Sequence, residues 1–280
     1  MTKIGTTSFS FRYLLLDEAR APSLETIVRR ARALGLERLQ ICENARPLAL
    51  GDDAWDALVD TGSSLGLEIL IGCKTLEAAD LERFIRRAAR VPSRLLRVVL
   101  EEEDEHGAPP SRAQIVKLLA GAWPLLRDSG VRLAIENHFD VSSRLLAELV
   151  EPYPADRVGF CLDTANSLRS FESADDVFAR LGDRAFCYHL KDFKVVGHML
   201  GFTVGGAPLG QGQLDIDVCL DRMFRKHREP QIFIENWVPP TNDWAGDVAA
   251  DETWLAASIE TLRARLGARS ADATPIPLPA

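Results

Sequence analysis

Four short stretches in the second half of the chain each contain, near one end, a residue able to bind a metal ion. They read RLAIENH (132–138), VGFCLDTAN (158–166), AFCYHLKDF (185–193) and QIFIENW (231–237), and the residues are Glu136, Asp163, His189 and Glu235. Three carboxylates and one imidazole make an oxygen-rich, fairly hard set for one divalent ion. Such a set suits Mn²⁺, the first expectation, and Mg²⁺ or Co²⁺, with Zn²⁺ also within its range. A metal ion beside a ketone and an adjacent hydroxyl polarises the carbonyl and stabilises an enediolate. The chemistry in prospect is therefore that of a small polyhydroxylated carbonyl compound. One such residue at a strand end is commonplace. Buried charge is costly unless paired or metal-bound, so four at matching positions argue for a shared ion.

The elements that must position these groups are legible as alternating short apolar runs and longer amphipathic segments. The runs are Ile4–Thr7, Arg38–Cys42, Glu68–Cys73, Leu95–Leu100, Arg132–Ile135, Val158–Leu162, Ala185–Tyr188 and Gln231–Ile234. Each is short and apolar on both faces, as a parallel strand covered by helices should be. Helices are expected from Ser23 to Gly35, over Ala54–Leu65 behind an Asp52 cap, and over Leu81–Ala89 behind an Asp80 cap. Further starts lie at Ser111 with Gln114, at Ser142 or Ser143, at Ser173 with Asp176 and at Asp215 or Asp217, and Trp254–Leu266 forms the last helix. Eight strand–helix units in 280 residues predict closure into an α/β (β/α)8 barrel, TIM-barrel in type, over residues 1–266.

Alternate residues of a strand share a face. Glu136 inward takes Ala134 and His138 with it, Asp163 takes Cys161, His189 takes Cys187 and Lys191, and Glu235 takes Phe233 and Trp237. The apolar residue before each ligand is left for the helix layer. Two connections stand out: the acidic 101–110 segment, and Phe193–Gln213, a Gly-rich stretch expected as a long loop near the barrel mouth. The Ala/Pro-rich 267–280 segment reads as a loose tail or a partner-contacting arm.

Bulk properties exclude other classes. The formal net charge of −8 disfavours nucleic acid, whose binding needs Lys and Arg to displace counterions, and an anionic membrane surface. No GxGxxG or GxxxxGK[ST] follows a strand. No apolar run reaches the ~20 residues of a membrane span, and the N-terminus lacks a secretory pattern. Five cysteines without a CxxC pair read as small hydrophobes and fit a reducing, cytoplasmic setting. A homo-oligomer is compatible with all of this.

The motifs IENH, LDTAN, HLKDF and IEN resemble the xylose isomerase-like TIM barrel superfamily of sugar phosphate isomerases and epimerases, over nearly the whole chain. The family pattern is Glu on strand five, Asp in D-T-x-[HN] on strand six, His in H-[LV]-K-D on strand seven and Glu on strand eight. The resemblance implies one metal held by Glu136, Asp163, His189 and Glu235. It also implies proton transfer by Glu136 and Glu235 from opposite faces of the substrate. Many family epimerases carry His where this chain has Asn166. Endonuclease IV, of the same superfamily, needs more His ligands than five histidines readily supply.

Other candidates surround that core. His138 is a third possible acid or base, or a hydrogen-bonded residue of the barrel rim. Lys191 is placed to hold a substrate oxyanion, or to pair with Asp192. Arg12 and Lys74 are further cations for an acidic substrate. Glu43, Asn44 and Asn166 are candidates to meet substrate hydroxyls, and Trp237 and Phe9 to wall the pocket. Isomerisation or epimerisation of a keto-sugar is the first expectation. A lyase on an oxidised sugar acid, resembling 3-oxoisoapionate decarboxylase or inosose dehydratase, is the second. A non-catalytic ligand-binding subunit is the third.

Overall fold

The computed structural model describes residues 2–17, 19–101 and 109–272. In chain order the strands are β1 (Ile4–Thr7), β2 (Arg38–Ile41), β3 (Glu68–Lys74), β4 (Leu95–Val99), β5 (Arg132–Glu136), β6 (Val158–Asp163), β7 (Ala185–Leu190), β8 (Asp192–His198), β9 (Gly201–Ala207) and β10 (Ile232–Ile234). The helices are α1 (Arg12–Leu16), α2 (Leu24–Ala33), α3 (Asp52–Ser64), α4 (Ala78–Ala88), α5 (Arg112–Ser129), α6 (Ser143–Val150), α7 (Ala174–Leu181), α8 (Ile216–Lys226) and α9 (Trp244–Asp272).

Eight strands form a closed parallel barrel in the order β1-β10-β7-β6-β5-β4-β3-β2. Closure comes from the pairing of Ile4 with Ile232 and Thr6 with Ile234. All eight expected strands are present. Their outward residues, among them Leu39, Ile71, Leu96, Ile135, Leu162, Tyr188 and Ile234, pack against the helices in the main core. The inward residues Leu70, Leu95, Ala134, Cys161, Cys187 and Phe233 form a separate fully buried cluster, the packed interior of the cylinder. The parity that carries Glu136, Asp163, His189 and Glu235 to the mouth is thus the parity that fills the barrel beneath them.

Caps explain most helix starts. Ser111 and Gln114 close a capping box on α5, and Ser173 and Asp176 do so on α7. Ser23, Ser142 and Asp215 each accept an N–H from the first turn of their helices. Two expected caps differ. Gly51 caps α3 and Glu77 caps α4, with Asp52 and Asp80 inside the first turn, where a negative charge meets the positive end of the helix dipole.

Two features depart from expectation. The Phe193–Gln213 stretch is not an irregular loop: β8 and β9 form an antiparallel hairpin, with Val195 opposite Val204 and Phe193 opposite Gly206. Its Val, Thr and Phe content favours extended backbone, which outweighs the loop signal of the glycines. The final helix begins ten residues before Trp254 and continues past Leu266 to Asp272. Ala245, Ala249 and Ala250 extend it at the start and Ala268 beyond Gly267, because alanine fixes no side chain on helix formation. The acidic 101–110 connection lies mostly outside the described residues. Among the described residues no helix is long and apolar enough to cross a membrane.

Candidate metal centre and substrate cavity

Strands β5, β6, β7 and β10 deliver Glu136, Asp163, His189 and Glu235 to one buried cluster. Neighbouring polar residues lock the register. Asn137, after Glu136, donates to the Asp163 carbonyl (2.9 Å) and accepts the Asp163 N–H (2.8 Å). Thr164, after Asp163, accepts the Lys191 N–H (3.0 Å) and donates to the Lys191 carbonyl (2.9 Å). The Asn and Thr of IEN and LDT thus hold the strand tips in place.

Each of the candidate ligands Asp163, Glu136 and His189 is oriented by a further contact. Asp163 Oδ1 accepts the Ala165 and Asn166 N–H groups, both at 2.8 Å, which fixes the carboxylate plane. Asn166 Nδ2 donates to Glu136 Oε1 (2.8 Å). His189 Nε2 meets Gln40 Oε1 across the barrel at 2.9 Å. With Nε2 donating to Gln40, Nδ1 faces Glu136 Oε2 at 3.3 Å and Glu235 Oε2 at 3.1 Å, and it is the nitrogen that would meet an ion after giving up its proton.

The charges are compensated within the protein. Arg97, on β4, pairs with Glu136 and, at 3.1 Å, with Glu43. Lys191 Nζ lies 2.7 Å from Glu235 Oε1, 3.2 Å from Asp163 Oδ2 and 3.1 Å from Asn166 Oδ1. Burial opposes ionisation throughout, and the partners decide the outcome. Arg97, then His189, holds the Glu136 carboxyl well below the usual range. Lys191, then His189, does the same for Glu235. For Asp163 burial prevails over Lys191 and the group is pushed up. Burial would lower His189, but the Glu136 and Glu235 carboxylates hold it up at about 10.

The donor set fits a divalent cation. Asp163 Oδ2, His189 Nδ1 and Glu235 Oε2 are buried and make no well-aligned hydrogen bond; their close neighbours are ionic, Lys191 for Asp163 and the imidazole for Glu235. Ligand atoms of Asp163, His189 and Glu235 lie within 4.8 Å of one another. Buried polar atoms are nearly always hydrogen-bonded, so three atoms drawn together by ion pairs alone suit an ion's coordination shell.

Above the cluster opens a cavity of about 350 Å³, lined by Phe9, Arg12, Glu43, Lys74, His138, Lys191, Glu235 and Trp237 among others. Most expected substrate residues therefore face one space. Asn44 is instead tied to Ser8, donating to its carbonyl (3.1 Å). Asn166 is spent on Glu136 and Lys191. Lys191 pairs with Asp163 and Glu235, whereas Asp192 turns outward and accepts the backbone N–H groups of Gly210, Gly212 and Leu214, each at 2.9 Å. Trp237 lines the cavity and donates to the Asp192 carbonyl (3.0 Å), tying the cavity wall to the root of the hairpin.

Three residues of the site were not singled out from the sequence. Arg97 and Glu101 also line the cavity, and Gln40 orients His189. Glu101 Oε1 meets His138 Nδ1 at 2.7 Å, and its other oxygen lies 3.7 Å from Lys74 Nζ. His138, then Lys74, holds Glu101 low against the effect of burial. The available signal was parity: Gln40 and Arg97 are polar residues in inward register within β2 and β4, and Glu101 continues that register two residues past Val99.

Residues 28–265 match the family described as xylose isomerase-like TIM barrel. The chain is 23% identical over 265 residues to 3-oxo-isoapionate decarboxylase of Pectobacterium atrosepticum, covering 94% of this chain and 95% of that protein. Among solved structures it resembles D-psicose 3-epimerase of Clostridium cellulolyticum H10 with D-tagatose, at TM-score 0.72, 13% identity and coverage of 94% and 98% of the two chains. It also resembles a xylose isomerase-like TIM barrel protein of Mycobacterium smegmatis in complex with magnesium, at TM-score 0.67, 13% identity and coverage of 92% and 97%. These structural likenesses show the fold. With the match spanning all but the two ends of the barrel, the chain belongs to the xylose isomerase-like TIM barrel family.

Proposed function

We propose that the protein is a divalent-metal-dependent lyase that removes CO₂ from an oxidised sugar acid carrying a ketone beside the carbon that bears the carboxylate. The observation that carries this reading is Arg12. Its guanidinium lines the cavity and donates to the Tyr13 hydroxyl (2.8 Å), and no carboxylate pairs with it among the described residues. The other cations of the cavity have internal partners: Lys74 has Glu101, Arg97 has Glu136 and Glu43, Arg169 has Asp140, and Lys191 has Asp163 and Glu235. An unpaired guanidinium in a cavity is the natural partner of a substrate carboxylate, which it can grip through two parallel hydrogen bonds. The likeness to a decarboxylase over almost the full chain supports the same class.

Glu136, Asp163, His189 and Glu235 would hold the ion. Bound there, it supplies Lewis-acid stabilisation of negative charge on the substrate oxygens. Arg12 orients the carboxylate so that the carbon–carbon bond to it can break, its electron pair passing into the neighbouring carbonyl as CO₂ leaves. Lys191, among Asp163, Glu235 and Asn166, faces the oxygen that gains charge. His138 has Nδ1 engaged by Glu101, which leaves Nε2 to deliver the proton that the carbon then takes up. Trp237 and Phe9 exclude water from the carbanionic centre.

Isomerisation or epimerisation of a keto-sugar is the second reading, favoured by one observation. Two carboxylates, Glu136 and Glu235, reach the same centre from strands separated by β6 and β7 in the barrel order. Offered a 3-oxo sugar acid and Mn²⁺, the protein is expected to release CO₂. Arg12→Ala should raise KM roughly ten- to hundredfold, from the about 1.5–3 kcal/mol typical of a hydrogen bond to a charged group, with a smaller change in kcat. Solvent deuterium entering a ketose without carbon loss, and no CO₂ from the acid, would establish the second reading instead.

A further inference from the structure

We propose that the barrel can also bind a thiophilic divalent cation (Zn²⁺, Co²⁺ or Cd²⁺) one residue layer deeper, through Glu136, Cys161 and His189. The strand parity that brings Asp163 to the mouth places Cys161 two residues below it, in the inward layer with Ala134, Cys187 and Phe233. Ligand atoms of Glu136, Cys161 and His189 lie within 4.8 Å of one another, as do those of Asp163, His189 and Glu235. Two atoms each about 2.1–2.3 Å from one ion stand at most ~4.5 Å apart, so either set closes with shifts below an ångström.

His189 is fully buried and its Nδ1 faces the Glu136 and Glu235 carboxylates at 3.3 and 3.1 Å, so an ion at this depth draws on the same imidazole as the Asp163 set. Sulfur decides which ion goes where: hard ions prefer the three carboxylates, whereas thiolate selects softer ones. Cys161 would bind as the thiolate, and its proton is released to solvent as the ion enters. The two sets share His189 and so compete for it. This inference rests on the assignment of Glu136 and His189 as ligands made above.

The test is to titrate the metal-free full-length protein with Co²⁺ and record its near-ultraviolet absorption. A sulfur-to-cobalt charge-transfer band is expected in the wild type, absent in Cys161→Ser, retained in Cys187→Ser, and diminished by excess Mn²⁺. Co²⁺ affinity should fall at least about tenfold in Cys161→Ser, the lower end of what losing a supporting group costs a metal site. Mn²⁺ affinity should change little. Cys161→Ala, which adds no polar atom to the packed interior, runs in parallel. The chemical shift of bound Cd²⁺ reports sulfur ligation without any substitution. No band and no sulfur-type cadmium shift, or a band that survives loss of Cys161, overturns the proposal. Absent Mn²⁺ binding would count against the ligand assignment itself, so the two failures are distinguishable.

Discussion

Arg97 carries a permanent charge inside the barrel, held between Glu136 and Glu43. Removing one member of a buried ion pair leaves the other uncompensated, at about 3–5 kcal/mol. Arg97→Met should therefore destabilise the metal-free protein by that order in denaturant unfolding. Added Mn²⁺ should recover much of the loss, because the ion takes over the charge of Glu136. Gln40 Oε1 meets His189 and, more weakly, the Cys42 thiol at 3.6 Å. Gln40→Leu should weaken Mn²⁺ binding roughly 10–100-fold by calorimetry while the fold persists, as expected for the group that orients a ligating imidazole. That Glu136, Asp163, His189 and Glu235 share one cluster was legible because Glu, Asp, His and Glu recur at the same point of four apolar runs. Arg97, Gln40 and Glu101 were less so. Gln40 and Arg97 are isolated in β2 and β4 and Glu101 lies just past β4, and what reveals the role of each is a partner on another strand or at its end, 39, 149 and 37 residues away for Arg97, Gln40 and Glu101.

At the scale of elements, the hairpin shows where pattern reading falls short. Glycines suggested a loop, yet Gly206 and Gly212 serve close approach. A Cβ on Gly206 would run into the Trp237 carbonyl and ring, and one on Gly212 into the Asp192 carboxylate. Such contacts are tertiary and leave no periodic trace in the sequence. The long α9 is anchored on α1 through Asp251, which accepts the Tyr13 N–H at 3.2 Å. Burial pushes Asp251 up to about 7, from 3.8, with Asp247 adding to the rise and Arg12 opposing it. Over that interval the folded chain holds a proton that the unfolded chain has released, so stability falls as pH rises from about 4 to 7 and stays lower above. Asp251→Asn keeps an oxygen for the Tyr13 N–H and removes the charge. It should raise Tm at pH 8 and leave it nearly unchanged at pH 4, each kcal/mol recovered showing as about 2–4 °C. Equal Tm values at both pH values would contradict this.

For the molecule as a whole, the barrel explains why residues a hundred positions apart act together. Closure by β1 and β10 turns eight strand ends into one ring, and the inward layer of Ala134, Cys161, Cys187 and Phe233 supports the ligands from below. That architecture was legible from the alternation of strands and helices. The closing hydrogen bonds were not, because they depend on pairing between β1 and β10, and the full extent of α9 was not, because Gly246 and Gly267 interrupt its helical pattern. The acidic exterior and the cation-lined cavity are compatible, since a cleft's local charges can oppose the global sign. The account turns on one shared ion. It is tested most directly by equilibrium binding of Mn²⁺ to the metal-free protein, comparing the wild type with Asp163→Asn, His189→Gln and Glu235→Gln. One ion per chain in the wild type, lost or weakened by orders of magnitude in each variant, is the predicted result. A chain that binds no divalent ion, or variants that retain wild-type affinity, would contradict it.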